Sequence, residues 1–106
     1  MSDDICLVLT TCPDSKTAER LSTMLVEHRL AACVSAGSSV TSTYPWQGRV
    51  ERESEIPLTI KTTRARVSAL RQELVAHHPY EVPEFLVVPI SDGLEEYMQW
   101  IRDWIQ

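Results

Sequence analysis

Two histidines, His77 and His78, stand side by side before Pro79, and Tyr80, Glu81 and Glu84 follow closely. Imidazole is the commonest protein ligand for borderline divalent metals such as copper and zinc. Adjacent side chains on a helix diverge by about 100°, so the pair does not readily chelate one ion. Proline disfavours helical geometry at the residue before it, which releases His78 from the helix to orient its ring independently. Two ligands make a weak site, and Glu81, Glu84, a cysteine or another subunit has to supply the rest. The alternative is structural: His77 continues a Leu70–Leu74 stripe into the core, and His78 sits favourably at a helix C-terminus.

Lys61 is the second feature. It closes an apolar strand, shares a face with Glu55 and precedes a helix start at Thr63. A lysine beside free helical N–H groups can hold an anion, and the competing reading is a surface ion pair with Glu55. The row Glu51, Glu53, Glu55 reads as a solvated face rather than a cation site. Cys12 and Cys33 are soft ligands by chemistry, although free cysteine is more often a small buried hydrophobe. Tyr97, Trp100 and Trp104 at helical spacing read as core or subunit interface. There is no nucleophile elbow, P-loop, dinucleotide fingerprint or H-E-x-x-H, and three glycines leave little for a phosphate cradle. The expectation is a binding protein without an organic cofactor, not an enzyme.

The elements that carry these residues follow from hydrophobic period. Residues 5–11, "ICLVLTT", are β-rich and apolar on both faces, as in a buried strand. Asp14 is a good N-cap for a helix whose stripe is Ala18, Leu21, Met24, Leu25 and His28. A second strand region runs from about Ala32 to Trp46, and "PWQG" has turn chemistry, with Gly48 able to adopt the left-handed conformation. The return strand, Arg49 to Thr62, alternates Glu51, Glu53, Glu55, Thr59 and Lys61 against Val50, Ile56, Leu58 and Ile60. Thr63 is placed to cap a second helix bearing Val67, Leu70 and Leu74, which Pro79 stops. "FLVVPI" is a short apolar strand. Leu94, Tyr97, Met98, Ile101, Trp104 and Ile105 share one side of a last helix.

The order β-α-β-β-α-β plus a C-terminal helix is that of an α+β, ferredoxin-like antiparallel sheet with two helices on one face. It spans residues 1–106 as one domain. The hairpin between the second and third strands is longer than such a sheet needs and exposes Tyr44, Trp46 and strand edges. Another chain has to cover it, so an oligomer is expected.

Composition narrows the partners. Net charge is −5 and no run of lysine or arginine occurs, which argues against nucleic acid. No apolar stretch approaches the ~20 residues of a membrane span. The start "MSDDICLVLT" lacks a basic n-region and reads as a strand, not a signal peptide. Cys6 and Cys12, if extended, stand roughly 20 Å apart, too far for a disulfide. A reduced, cytoplasmic protein is the expectation.

Beyond these readings, "LAACVSAGSSVTSTYPWQGRVERESEIPLTIKTT" followed by "HHPYEVPEFLVVPISDGLEEYMQWI" closely resembles the CutA divalent-cation-tolerance family. The resemblance runs from "TTCPDSKTAERL" to "YMQWI", nearly the whole chain. It implies a homotrimer of ferredoxin-like subunits, similar to PII signalling proteins, in which the long hairpins pair between subunits. It also implies tolerance to copper and other divalent cations, with no established enzymatic reaction. The metal ligands it implies fall on His77, His78 and a cysteine near the end of the first strand. Thr10 occupies the alignable position here, and Cys12 lies two residues on. Two functions emerge: weak binding of copper or zinc through His77 and His78, with Cys12 or Glu84 assisting, or a PII-like sensor. The sensor would take a small anionic ligand between subunits, against Lys61, Tyr80, Glu81 and Trp46. A trimeric scaffold for another protein is the third possibility.

Overall fold

Five strands and three helices make up the fold in a computed structural model that describes residues 3–105. The first strand, β1 (Ile5–Cys12), alternates Cys6, Val8, Thr10 and Cys12, all buried, with the partly buried Leu7, Leu9 and Thr11. Asp14 caps helix α1 (Ser15–Glu27), its Oδ1 accepting the Thr17 N–H at 2.8 Å. Helix α1 buries Thr17, Ala18, Leu21 and Leu25. His28, expected on that stripe, is instead the exposed C-cap.

Arg29 follows at φ 58°, and the Leu30 N–H reaches back to the Leu25 carbonyl at 2.9 Å. This is a Schellman-type stop with arginine where glycine is usual. Its side chain has a compensating task. Nη1 donates to the Trp104 carbonyl at 2.9 Å, and the guanidinium lies 4.0 Å from the Trp104 ring centroid.

The long strand region expected between Ala32 and Trp46 is interrupted. It forms β2 (Cys33–Ala36) and β3 (Val40–Trp46), both antiparallel to one unbroken strand, β4 (Arg49–Thr63). Ala36 pairs with Leu58 but Val40 with Glu55, so four steps on one side face three on the other. That surplus residue is a bulge. Gly37 sits in it because a Cβ there would stand 3.0 Å from the Pro57 ring. The register shift puts Val40, Ser42, Tyr44 and Trp46 on the same face as Glu55, Glu53, Glu51 and Arg49. The hairpin closes through Gln47 and Gly48, both at positive φ, in a two-residue loop.

A 3-10 turn, Arg64–Arg66, lies between β4 and α2 (Val67–His77), so the helix starts later than expected. Thr63 flanks that turn without a side-chain capping bond. His78 ends α2 with extended backbone, φ −84° and ψ 140°, as Pro79 demands. Strand β5 (Leu86–Pro89) and helix α3 (Glu95–Ile105) complete the chain.

The sheet order is β2-β4-β1-β5, with β3 continuing beside β4. Val8, Cys12, Leu58 and Ile60 pack under Leu21, Leu25, Leu70 and Leu74, so α1 and α2 seal one face. The opposite face is covered at one end only, where Ile101 and Ile105 of α3 meet Ile5 and Ala32. Leu86 and Val88 stay exposed there, as do Tyr97 and Trp100, whose rings stack 5.6 Å apart. Among the described residues, β4 pairs from Arg49 to Glu55 with β3 alone. This ribbon lengthens the molecule to 45 Å and raises the radius of gyration to 14.4 Å, against about 13 Å for a compact chain of this size. No described helix is long and apolar enough to cross a membrane.

Candidate metal and ligand site

The two adjacent histidines have opposite fates. His78 is buried, and both ring nitrogens are engaged. Nδ1 accepts the Tyr80 backbone N–H at 3.0 Å, so that nitrogen carries no proton. Nε2 therefore carries the hydrogen and donates it to the Thr11 carbonyl at 2.8 Å. In this arrangement His78 fastens the 78–80 turn to the end of β1 and offers no lone pair to a metal.

His77 is exposed. Its Nδ1 lies 2.9 Å from the Glu73 carbonyl, one turn back, and 3.5 Å from the Glu73 carboxylate. With Nδ1 donating to that carbonyl, the lone pair of Nε2 is available, and Nε2 has no hydrogen bond among the described residues. The structural alternative, with His77 continuing the Leu70–Leu74 stripe into the core, is reversed: His78 enters the interior and His77 stays at the helix surface. The reason is Pro79, which turns the chain so that the residue after the helix, not its last residue, points inward.

Cys12 is fully buried in the core beneath α1 and α2. Burial, with the nearby charges of Asp14 and Glu55, pushes its thiol up to about 11, far from the thiolate that metals prefer. Thr10, at the position where the family resemblance implies a cysteine, is also buried, and its hydroxyl has no partner among the described residues. Glu84 is exposed in the loop before β5. Among the described residues, no three His, Cys, Asp or Glu side chains gather around one point.

What the turn at Pro79 does assemble is a polar cluster centred on Glu55. Tyr80 donates its hydroxyl to Glu55 Oε2 at 2.8 Å, and Thr11 donates to the same oxygen at 3.1 Å. Partial burial by itself would raise the Glu55 pKa. Hydrogen bonds from Ser42, Tyr80 and Thr11 outweigh that and hold the carboxyl below its usual range. The same contact, added to burial, drives the Tyr80 phenol upward. Ser42 reaches Glu55 only because of the bulge after Ala36, which no residue pattern announced.

Lys61 does not pair with Glu55. Its ammonium lies 3.0 Å from the Tyr97 hydroxyl and 5.3 Å from that ring's centroid, and the hydrogen bond raises its pKa. Lys61 lies six steps along β4 from Glu55, about 20 Å of extended chain. Trp46, paired with Arg49 at the hairpin tip, lies a similar distance beyond. Lys61, Tyr80, Glu81 and Trp46 therefore line no common cleft within one chain, and a neighbouring subunit would have to bring such a cleft together.

The class these features define is a small α+β protein with an antiparallel sheet, one sealed face, one open face and a protruding two-stranded ribbon. Its sequence places it more closely. The chain belongs to the family described as CutA1 divalent ion tolerance protein, whose profile matches residues 6–104. It is 42% identical over 97 residues to the divalent-cation tolerance protein CutA of Thermus thermophilus, covering 92% of this chain and 94% of that one. The crystal structure of CutA from Xylella fastidiosa superposes with a TM-score of 0.95 at 47% identity, covering 97% of this chain and 99% of that one. The periplasmic divalent cation tolerance protein CutA from Archaeoglobus fulgidus superposes with a TM-score of 0.94 at 31% identity, covering 96% and 99%.

Proposed function

We propose that this protein acts in divalent-cation tolerance as a homotrimer of ferredoxin-like, PII-like subunits that bind copper or a similar ion weakly. The observation that carries the metal reading is the exposed imidazole of His77. It is the one histidine of the pair whose hydrogen bonding leaves a nitrogen for a cation. His78 supports it indirectly by fixing the turn, and Cys12 and Glu84 stand apart from it. A single imidazole with water completing the shell binds weakly, as befits a protein that meets ions rather than storing them. Copper titrated by calorimetry into the full chain should show binding that His77→Ala removes. Unchanged affinity in that variant would sink the reading.

The trimer is supported by the open sheet face with Leu86, Val88, Tyr97 and Trp100, and by a ribbon that has no third strand among the described residues. A two-stranded ribbon is marginal alone in water, and a neighbouring chain supplies the missing pairing. Light scattering should return three times the chain mass of 12.0 kDa. A mass of one chain at micromolar concentration would overturn it. Cytoplasmic residence is supported by three free cysteines, Cys6, Cys12 and Cys33. Cell fractionation tests it, and recovery in a periplasmic fraction would reverse it.

A further inference from the structure

We propose that the cavity between the β4–α2 junction and α3 binds a small zwitterion of the α-amino-acid class. The proposal is independent of the metal reading, since His77 closes α2 about 16 Å from the helix start that borders this cavity. The cavity measures about 490 Å³, and Asp3, Thr63, Arg66, Gln99, Arg102 and Ile105 stand in its wall. Sites for small molecules run from about 300 to 1,000 Å³, so the space is sufficient.

Two guanidiniums border the cavity, and bonds to the protein hold each in place. Arg66 donates from Nη2 to the Ile105 carbonyl at 3.0 Å. Arg102 donates from Nε to the Asp3 carbonyl at 3.1 Å, and from Nη1 to Glu95 and Gln99 at 3.1 and 3.4 Å. A guanidinium has five N–H donors. The Nε and Nη1 hydrogens of Arg66 and the Nη2 hydrogens of Arg102 are therefore left without an acceptor among the described residues. The Arg102 side chain is only 21% exposed, and Arg66 is likewise partly buried. Thr63, 3% exposed, adds a hydroxyl that caps nothing.

Donors fixed in this way match a carboxylate, whose two oxygens a guanidinium binds in parallel. Glu95, 70% exposed, competes for Arg102 only weakly. Asp3 decides between ligand classes. Its carboxylate borders the same cavity but pairs with neither guanidinium. A bare anion such as phosphate meets repulsion there, whereas a ligand bearing an ammonium beside its carboxylate gains a second partner. A free amino acid satisfies both signs at once, and Ile105 offers an apolar contact.

The test is calorimetry on the full chain in metal-free buffer, with a panel of free α-amino acids, their N-acetyl derivatives and inorganic phosphate. At least one free amino acid should bind at millimolar concentration or below, and its N-acetyl derivative should bind about tenfold more weakly or worse. Asp3→Asn should erase that difference, and Arg66→Gln should weaken both compounds by a similar factor. Backbone NMR shifts at Thr63 and Gln99 should accompany binding. Circular dichroism verifies each fold, and if Arg66→Gln does not fold, Asp3→Asn decides alone. No binding by any amino acid, equal binding of the acetylated form, wild-type affinity in a folded Arg66→Gln, or shifts confined to other residues overturns the proposal. Phosphate bound as tightly as the amino acid overturns the zwitterion and leaves a plain anion pocket.

Discussion

The two faces of the sheet are built on opposite terms. Under α1 and α2, the side chains of Leu21, Leu25, Leu70 and Leu74 meet Val8, Leu58 and Ile60, and none is measurably exposed beyond 1%. That face is finished by the chain itself. On the other face, α3 covers only the Ile5 end, while Leu86 remains 57% exposed and Trp100 51%. The difference teaches where the chain completes its own core and where it leaves apolar surface uncovered.

The largest test of that contrast is Leu70→Ala, which should cost about 2–5 kcal/mol because a sealed core cannot collapse around the cavity. Chemical denaturation should show the loss at every protein concentration. Leu86→Ala on the open face should lower the melting temperature mainly through assembly, so that its effect shrinks as concentration rises. Equal, concentration-independent losses would erase the distinction between the faces.

His78→Ala sharpens it next. Removing the ring leaves the Thr11 carbonyl and the Tyr80 N–H without partners, at a cost of about 2 kcal/mol or more. His77→Ala, at the surface, should change stability by no more than about 0.5 kcal/mol. A pair of denaturation curves decides, and equal destabilisation by the two variants would refute the division of labour between neighbours.

Thr10→Val should move stability the other way. Its buried hydroxyl has no partner among the described residues, and an isosteric methyl should gain about 1 kcal/mol by thermal melt. A loss would show that the hydroxyl holds a partner such as an ordered water.

The smallest effect concerns acid. Glu55 has a folded pKa below its unfolded one, so the folded state binds fewer protons and stability rises with pH across that window. Its contribution is fully present above the ordinary glutamate value of about 4.3 and disappears as pH falls through the depressed folded value. Melting temperature should therefore fall less steeply below about pH 4.3 in Glu55→Gln than in the wild type. Parallel curves would remove Glu55 from the account.

The elements themselves were readable because each is announced by short-range physics. Asp14 names its helix start, Pro79 its stop, and Gln47-Gly48 its turn. Alternation in β4 told which residues share a face, and the sealed stripe of α2 was correct at Val67, Leu70 and Leu74. The bulge at Gly37 was not readable, because the space it occupies is bounded by Pro57, twenty residues away in the chain, which a Cβ at position 37 would approach to 3.0 Å. Without it, Ser42 would have been placed on the wrong face and Glu55 left as a solvated charge.

By itself, then, the sequence determined the order of elements, the core stripe and the family, since these depend on periods, caps and motifs along the chain. Only the tertiary structure decided which histidine is buried, that Tyr80 rather than Lys61 binds Glu55, and that Glu73 stands beside the exposed imidazole. Those outcomes depend on where a turn directs one ring and on a register shift between distant strands. Hydrogen-bond partners separated by 67 residues, as His78 and Thr11 are, leave no trace in local spacing.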